Sequence, residues 1–234
     1  MIYSIIMTSY NRADQLSNTL KTFRQLYSHR KDYEIVVIED SKSDDLDKLR
    51  VKNILDTMEH IRTVYYEMPA DNTWNSCLGY NMAATLAIGD RLIIQNSENM
   101  HVRDVLGAFD KGDGDTYQVA CCLNAKVSYI DDTAKAVPVE WYQHPDHNNR
   151  QLHFCTCISR HNWDLIGGFS EEFKDGMFYE DNDFIMKIRS AGIKVVSMLE
   201  SDALVIHQQH DNKHWDNQAL IEINKQLYIK KWET

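Results

Sequence analysis

The sequence predicts an α/β protein whose central sheet is mostly parallel and is flanked by helices. Through residues 2–95, short apolar runs rich in β-branched residues alternate with stretches in which apolar residues recur at helical spacing. A polar loop follows the first, second and fourth of these runs, which is typical of strands that end at a ligand-binding edge. Repeated strand–helix units need crossover connections, and these connections place helices on the faces of a parallel sheet.

The first strand–helix unit covers residues 2–27. Residues 2–7 are apolar but lack the basic flank and the length of a signal peptide, so they are predicted to form the first strand. Asp14 can cap the helix that follows. The apolar residues of this helix recur every three or four positions and are Leu16, Leu20, Phe23 and Tyr27.

Three more strands and two more helices are predicted before residue 96. The strands are β-branched or apolar runs at residues 34–38, 61–67 and 91–95. The helices cover residues 46–58 and 76–88, and the second of them ends beside Gly89. Together with the first unit, these elements predict a doubly wound parallel sheet.

The second half of the chain departs from this alternation. Short strands are predicted at residues 116–123, 153–159, 193–198 and 203–206, and a terminal helix at residues 215–232. Residues 124–150 are predicted to be irregular. We therefore expect one domain over residues 1–234, with a β-strand and loop region in its second half.

The charge balance and the cysteines exclude several functional classes. The 234 residues include 25 Lys and Arg against 35 Asp and Glu, a formal charge of −10, and no long basic run. Nucleic acid and anionic membrane surfaces are therefore not expected partners. No stretch approaches the roughly 20 apolar residues of a membrane span. The five cysteines lack zinc or redox spacing, which favours reduced thiols in a soluble, cytoplasmic protein.

Polar residues follow three of the predicted strands, at residues 8–12, 39–44 and 96–101. Because the carboxyl ends of parallel strands meet at one edge of a sheet, these segments are expected to lie close together. They predict a ligand site at that edge. Alternatively, each is an ordinary strand-to-helix loop whose acids are solvated or cap the next helix.

An acidic segment in the second half is the most distinctive motif. Residues 180–183 read Glu-Asp-Asn-Asp, begin a predicted helix and follow a Gly-Gly-Phe turn at residues 167–169. Negative charge is favoured at a helix N-terminus, and this explanation suffices for Asp183. With the polar strand ends, the segment resembles the Glu-Asp-x-Asp motif of family 2 glycosyltransferases of the GT-A fold. The resemblance runs from residue 2 to about residue 207.

The resemblance implies a Rossmann-like GT-A fold in which residues 1–112 bind a nucleotide sugar and residues 113–234 form the acceptor and catalytic half. Residues 36–44 are similar to the family segment whose first acid accepts the N3–H of uracil, and Glu39 stands in place of that Asp. A UDP-linked donor is therefore expected. The residues implied to contact the donor are Thr8, Tyr10, Arg12, Glu39, Asn72, Asn81 and Asn96.

A divalent metal is also implied. Asn96-Ser97-Glu98 stands where the family carries Asp-x-Asp, so Glu98 remains as the carboxylate that can bind Mn²⁺ or Mg²⁺. His207 stands where metal-dependent relatives carry a third ligand. Alternatively, His207 is an ordinary surface residue, or His210 and His214 form a separate zinc site, which no cysteine or acid pair completes.

The resemblance implies an inverting transfer to a hydroxyl group of a glycan or lipid-linked glycan. Asp181 is implied to be the general base that takes the hydroxyl proton, and Glu180 to orient it. Trp141 suits stacking on a sugar ring, although packing of its loop onto the sheet explains it equally well. The residues implied on the acceptor side are Trp141, Gly168 and Phe169.

Two other functions are compatible with parts of the sequence. A catalytically silent relative that binds a nucleotide sugar or glycan would explain the missing Asp at position 96, but Asp181 is present. A sugar nucleotidyltransferase shares this sheet topology but carries a glycine-rich basic loop after its first strand. Residues 8–12 contain no glycine, which argues against that second alternative.

Overall fold

A computed structural model of the chain describes residues 2–70, 75–130, 133–210 and 217–233. The strands in these ranges are β1 (Tyr3–Ser9), β2 (Tyr33–Glu39), β3 (Arg62–Glu67), β4 (Arg91–Gln95), β5 (Asn99–His101), β6 (Tyr117–Val119), β7 (Cys121–Ile130), β8 (Thr133–Gln143), β9 (Cys155–Ser159), β10 (Val195–Ser197) and β11 (Leu204–Gln208). The helices are α1 (Ala13–Tyr27), α2 (Asp45–Asp56), α3 (Ser76–Leu86), α4 (Val105–Asp110), α5 (Arg160–Ile166), α6 (Glu180–Ser190) and α7 (Gln218–Trp232), with a short 3₁₀ helix at Glu171–Asp175.

The strands form two sheets. The larger sheet has the order β10-β6-β9-β4-β1-β2-β3, and the smaller has the order β5-β11-β7-β8. In the larger sheet β1 runs parallel to β2 and β4, and β2 runs parallel to β3. β9 is antiparallel to both β4 and β6. The predicted α/β fold with a mostly parallel central sheet is therefore confirmed.

Both faces of the central strands are covered. Alternate residues of β1 point to opposite sides, so Ile5 packs in the cluster that contains the apolar face of α1, whereas Ile6 packs in the cluster that contains residues of α3 and α6. The predicted helical stripe of α1 is buried: Leu16, Leu20, Phe23 and Tyr27 are each 0% exposed. This double burial explains why β1, β2 and β4 read as continuous apolar runs.

The prediction that residues 124–150 are irregular is wrong for the larger part of this segment. β7 and β8 pair as a long antiparallel hairpin, with register shifts between Cys122 and Leu123 and between Asn124 and Ala125. All residues of β8 from 133 to 140 are exposed, so no buried face imposes an alternation of apolar and polar residues. Proline is also typical of a loop, but Pro138 lies in β8, which is an edge strand and therefore tolerates it.

The helix ends differ slightly from the predictions. α3 ends at Leu86, and α7 begins at Gln218, where the side chain of Asn217 accepts the Leu220 N–H at 3.3 Å. Among the described helices, none has both the length and the apolar character that crossing a bilayer demands. α6 begins with the acidic segment, as predicted, and its apolar residues Phe184, Ile185 and Ile188 are buried.

Candidate functional site

The carboxyl ends of three parallel strands meet at one edge of the larger sheet. Ser9 at the end of β1 pairs with Glu39 at the end of β2, and β4 ends beside β1 at Gln95. Thr8 and Asn96, which the sequence predicts to contact the donor, therefore lie at this edge and are half-buried. The fold places these predicted donor residues on neighbouring elements, in the position where α/β sheets bind ligands.

A group of three side chains at this edge could hold a metal ion. Glu98 follows β4, His207 lies on β11, and His210 follows β11. The Nε2 atoms of both histidines lie 3.2 Å from the same Glu98 oxygen, Oε1. One ligand atom from each residue lies within 4.8 Å of the others. β11 pairs antiparallel with β5 so that His207 is opposite Asn99, which brings the histidines back to Glu98.

Hydrogen bonds orient the carboxylate. Ser97 donates its hydroxyl to Glu98 Oε2 at 3.1 Å. Gln208 donates both its backbone N–H and its side-chain amide to the Glu98 carbonyl, at 3.2 and 3.0 Å. Because Gln208 is the neighbour of His207, these bonds tie the histidine strand to the loop of Glu98. The same support around a metal ligand fixes its orientation in known metal sites.

The charges of the cluster favour an ionised Glu98. Burial raises the pKa of Glu98, but hydrogen bonds from His207 and His210 and the electrostatic attraction of these rings outweigh burial and hold the pKa well below its usual range. Arg12 lies 2.9 Å from His210 Nδ1. Since arginine only donates, Nδ1 is the acceptor and Nε2 carries the hydrogen that faces Glu98. Arg12 is thus beside the cluster, on the side of the predicted donor site.

The side chains of Glu98, His207 and His210 are compatible with binding of a divalent transition metal. His207 Nε2 faces Glu98, and its buried Nδ1 has no partner among the described residues. A metal on His210 Nε2 would require the ring hydrogen to move to Nδ1 and Arg12 to turn away. One carboxylate with two imidazoles suits Mn²⁺ better than Mg²⁺, which prefers oxygen ligands.

The amide oxygen of Asn96 accepts a hydrogen bond from a neighbouring helix. The buried hydroxyl of Tyr80 on α3 lies 2.9 Å from Asn96 Oδ1 and 3.2 Å from the Gln95 carbonyl. The Tyr80 ring stacks on Phe169, with ring centroids 5.2 Å apart. Tyr80 therefore links the β4 edge to the turn that precedes the acidic segment.

Tyr80 also shows that the two acidic groups of the site are near each other. Burial raises the pKa of Tyr80 above its usual value. The charges of Glu98, Glu180 and Asp181 raise this pKa further, so the phenol lies within electrostatic reach of both groups. The predicted metal residue and the predicted catalytic pair therefore lie within electrostatic reach of the same phenol.

Glu39 is fully buried at the end of β2. The Ser43 hydroxyl donates to Glu39 Oε1, and Oε2 is buried with no partner among the described residues. Burial raises the pKa of Glu39 to about 7. A carboxyl with one satisfied and one open oxygen is suited to a single further hydrogen bond.

The acidic pair at the start of α6 is half-buried. Ser76, at the start of α3, donates to Glu180 Oε1 at 2.7 Å. Burial, and then the charge of Asp181, raise the pKa of Glu180 to about 7. Burial also raises the pKa of Asp181, although a bond to the Asn182 N–H opposes the shift. Both carboxyls thus hold a proton more strongly than exposed acids.

Asp183 has a structural environment, as predicted. It is fully buried, and it accepts hydrogen bonds from Ser170 at 2.5 Å and from the Trp232 indole at 2.8 Å. Lys231 forms an ion pair with it at 2.9 Å. These contacts attach the end of α7 to the first turn of α6.

Two residues predicted on the acceptor side belong to the packing of the turn instead. Phe169 is 1% exposed and stacks on Phe184 with ring centroids 4.2 Å apart, so its side chain is a core residue. Gly168 has φ +60°, and a Cβ there would lie 2.9 Å from the Trp163 ring. A side chain would therefore disturb both the backbone and this ring.

Asn81 was predicted to contact the donor, but it holds the same turn. Its Nδ2 donates to the Phe169 carbonyl and its Oδ1 accepts the Phe169 N–H, both at 2.9 Å. Trp141 packs with His144 and His147, at centroid distances of 4.5 and 6.1 Å, and is half-buried. Tyr10 is half-buried beside Thr8. Asn72 and His214 lie outside the described residues.

Sequence reasoning missed one residue of the site and misjudged another. Tyr80 was not predicted, because it lies in no recognisable motif. The ring of Tyr142 contacts that of His207, with centroids 5.0 Å apart. His210 was considered only for a separate zinc site, whereas it joins Glu98 and His207. Its position three residues after His207, just beyond a strand, was the available signal.

Comparisons with known proteins agree with this geometry. Residues 4–107 match the family "Glycosyl transferase family 2". This range contains β1 to β5 and includes Thr8, Glu39 and Glu98. No curated protein matches the chain in sequence.

Several solved structures share the fold. The mannosyltransferase PcManGT from Pyrobaculum calidifontis, in complex with GDP-Man and Mn²⁺, is 14% identical with a TM-score of 0.62, covering 86% of this chain and 56% of its own. S. aureus TarS 1-349, in complex with UDP-GlcNAc, is 14% identical with a TM-score of 0.62, and the match covers 95% of this chain and 64% of TarS 1-349. GalNAc-T7, with UDP, GalNAc and Mn²⁺, is 13% identical with a TM-score of 0.70, covering 99% and 49%.

The chain therefore spans only about half to two thirds of the length of these proteins. At such low identity, their likeness establishes the fold and leaves the chemistry to be argued from the site. Residues 4–107, a little under half of the chain, match family 2 glycosyltransferases in sequence, and the described residues have the GT-A fold.

Proposed function

We propose that the chain transfers a sugar, with inversion, from a nucleoside diphosphate sugar to a hydroxyl of a glycan or lipid-linked glycan. The observation that supports this proposal most directly is that His207 and His210 both contact one oxygen of Glu98, at the sheet edge of the segment that matches family 2. The presence of nucleotides or nucleotide sugars, and of Mn²⁺ in two cases, in structures of similar fold supports the proposal.

Residues 1–112 are proposed to bind the donor, through Thr8, Tyr10, Arg12, Glu39 and Asn96. The open Oε2 of Glu39 supports a base with a single N–H donor, as at N3 of uracil. Guanine presents two adjacent donors and would need both carboxyl oxygens, but Ser43 already donates to Oε1. We therefore propose a UDP-linked sugar. Arg12, once released from His210, can reach an anionic diphosphate.

Glu98, His207 and His210 would hold a divalent cation, with Mn²⁺ preferred. When bound, such an ion neutralises the charge of the leaving diphosphate. The residues around it prepare the site: Ser97 and Gln208 orient Glu98. The half-buried Tyr142 ring covers one side of His207 and limits the access of water.

Asp181 is proposed to be the general base of residues 113–234. Its raised pKa strengthens it as a proton acceptor, and the residue is only half-buried. Glu180 is fixed by Ser76 and stays neutral up to a pH of about 7, so it adds no second charge against the donor at lower pH. A single displacement inverts the anomeric centre. Trp141 remains the proposed contact for the acceptor sugar.

The proposal is tested by measuring nucleotide release and sugar transfer with UDP-, GDP-, CMP- and dTDP-sugars, with Mn²⁺ and with chelator. We expect turnover with a UDP-sugar and Mn²⁺ only. Asp181→Asn should lower turnover by about 10²- to 10⁴-fold with donor affinity retained. Asp175→Asn, an exposed acid in the preceding 3₁₀ helix, is the matched control and should turn over normally.

Three outcomes would contradict the proposal. Unchanged turnover in Asp181→Asn would exclude Asp181 as the base. Donor binding without hydrolysis or transfer to any acceptor tested would favour a silent nucleotide-sugar-binding relative. Turnover with GDP-sugars in preference to UDP-sugars would contradict the proposal that Glu39 selects uracil.

A further inference from the structure

The backbone immediately before the proposed base adopts an uncommon conformation. Phe178 and Tyr179 have φ values of +60° and +67°, and neither is glycine. Residues with a Cβ are rare in this left-handed region because the Cβ crowds the following carbonyl. Two such residues in succession need support from the surrounding structure.

Tyr179 sets the start of α6. It is the residue at the N-cap, and its carbonyl accepts the Asp183 N–H at 2.8 Å, which is the first bond of the helix. Asp181 lies in the turn closed by this bond. The direction in which α6 leaves the loop, and with it the position of the Asp181 carboxyl, therefore depends on the left-handed turn at Phe178 and Tyr179.

The support for this turn comes from α7. Asn224 is fully buried, and its Nδ2 donates to the Phe178 carbonyl at 2.8 Å and to the Phe173 carbonyl at 3.0 Å. A Cβ at Gly176 would collide with the Asn224 side chain, so the loop passes close against it. The Met177 N–H also donates to the Leu220 carbonyl of α7 at 3.0 Å.

Asn75 holds the same loop from the opposite side. Its Nδ2 lies 3.1 Å from the Phe173 carbonyl and 3.2 Å from the Gly176 carbonyl. Asn75 therefore fixes the start of the loop, but its amide does not contact Phe178 or Tyr179. The Asn224 side chain, by contrast, donates a hydrogen bond to the left-handed turn itself.

We propose that Asn224 is a positioning residue for Asp181: it holds the left-handed turn at Phe178 and Tyr179 and thereby fixes the start of α6. The inference rests on the proposed role of Asp181 as general base. It predicts that loosening the turn lowers kcat and leaves donor binding unchanged, because Glu98, His207 and Glu39 lie on other elements. A displacement of roughly 1 Å at a catalytic group is enough to cost about a hundredfold in rate.

The experiment uses two matched pairs of variants in the full chain with a UDP-sugar and Mn²⁺. Asn224→Ala is compared with Gln226→Ala, an exposed amide on the same helix that donates to Glu222. Tyr179→Val is compared with Tyr179→Gly. Both substitutions at Tyr179 remove its ring and the contact with Tyr228, but valine strongly disfavours positive φ, whereas glycine accepts it.

We expect kcat to fall about tenfold to a hundredfold in Asn224→Ala and in Tyr179→Val. Gln226→Ala should behave as wild type, and Tyr179→Gly should keep a kcat at least about fivefold above that of Tyr179→Val. Donor dissociation constants should stay within about twofold throughout. In the double variant Asn224→Ala/Tyr179→Gly, kcat should recover part of its loss, because glycine adopts positive φ without the steric strain that Asn224 otherwise offsets.

Equal kcat values for Tyr179→Val and Tyr179→Gly would overturn the inference, and this comparison stands even if Asn224→Ala does not fold. A loss in Asn224→Ala that glycine at position 179 does not restore would also contradict it. Asp181→Asn separates the two proposals. If Asp181→Asn turns over normally, the base assignment fails; if it is inactive and the Tyr179 pair is equal, only the role of Asn224 fails.

Discussion

Ser76 and Glu180 connect the two halves of the site by one hydrogen bond. The Ser76 hydroxyl at the start of α3 donates to Glu180 Oε1 at 2.7 Å, whereas Oε2 is buried with no partner among the described residues. Because the second oxygen gains no hydrogen bond, burial and the neighbouring Asp181 raise the pKa of Glu180 to about 7. The charge of the proposed catalytic pair therefore changes near neutral pH.

The first prediction concerns this change in charge. Below a pH of about 7 Glu180 is neutral and the pair carries the charge of Asp181 alone. Above it, the pair gains a second negative charge, which would repel the diphosphate of the proposed donor. We expect the affinity for a nucleotide sugar to weaken about threefold to tenfold between about pH 6 and about pH 8.5 in the wild type. Calorimetric titrations across this range measure the effect.

Glu180→Gln keeps the shape of the side chain and removes its titration. The weakening of donor affinity across this range should disappear in this variant, and the affinity at low pH should match the wild-type value. Glu39, whose pKa is also raised to about 7, still titrates, but its ionisation makes it a better hydrogen-bond acceptor and so does not weaken binding. A variant whose affinity still weakens with the wild-type profile would show that another group is responsible.

The second prediction concerns the metal. Glu98→Gln and His210→Ala should each weaken Mn²⁺ binding by at least about tenfold, because each removes one of three convergent ligand atoms. Mn²⁺ should bind more tightly than Mg²⁺ because imidazole suits the former. Electron paramagnetic resonance of free Mn²⁺ measures the affinity without any turnover.

His161→Ala is the control for this experiment, since His161 is exposed on α5 and remote from the cluster in sequence. It should bind Mn²⁺ as the wild type does. Equal affinities in Glu98→Gln and the wild type would mean that the cluster is held together by its own hydrogen bonds and does not bind the ion.

The sequence predicted the elements of the sheet well because burial leaves a strong pattern. β1, β2 and β4 are covered on both faces, so they read as continuous apolar runs. The exposed strand β8 lacks this signal, and its hairpin with β7 was missed. Exposed pairing depends on backbone hydrogen bonds, which the side chains of one strand do not reveal.

Residues of the site could be predicted only where they lie in a recognisable motif or directly after a predicted strand. Glu98 and His207 could be assigned from their positions relative to strands, but the participation of His210 depends on how the chain turns after β11. Phe169 and Asn81 were assigned to substrates because they lie beside a motif, whereas their side chains hold a turn together. Adjacency in sequence does not distinguish a residue that contacts a ligand from one that supports it.

The third prediction concerns the stability of the free protein. The pKa of Glu39 is raised to about 7 in the folded state, against 4.5 for an ordinary glutamate. Between these values the unfolded chain releases a proton that the folded chain retains, so stability falls as pH rises from about 4.5 to about 7. The contribution is at most roughly 3 kcal/mol and is lost above that range.

Urea unfolding of Glu39→Gln and of the wild type at several pH values isolates this effect, because other titrating groups cancel in the difference. The variant should gain stability relative to the wild type as pH rises through this window. Parallel stability curves would show that Glu39 titrates normally in the folded protein.

The last prediction concerns the attachment of α7. The Trp232 indole donates to Asp183 Oδ1 at 2.8 Å, and Lys231 forms an ion pair with the same oxygen at 2.9 Å. Trp232→Phe removes the only N–H that this ring offers, so it should cost about 1–3 kcal/mol in urea unfolding. Asp183→Asn should cost about 1–3 kcal/mol, because it weakens the hydrogen bonding of a buried side chain, whereas Lys231 keeps its ion pair with Glu172 at 2.5 Å.

The double variant decides whether the two residues act together. If the indole stabilises the protein through Asp183, the combined loss should be smaller than the sum of the single losses by about 1 kcal/mol or more. Lys225→Ala, an exposed substitution on the same helix, should change stability by less than about 0.5 kcal/mol. Strict additivity of Trp232→Phe and Asp183→Asn would mean that Trp232 contributes by apolar packing, and the attachment of α7 to α6 would then not depend on this bond.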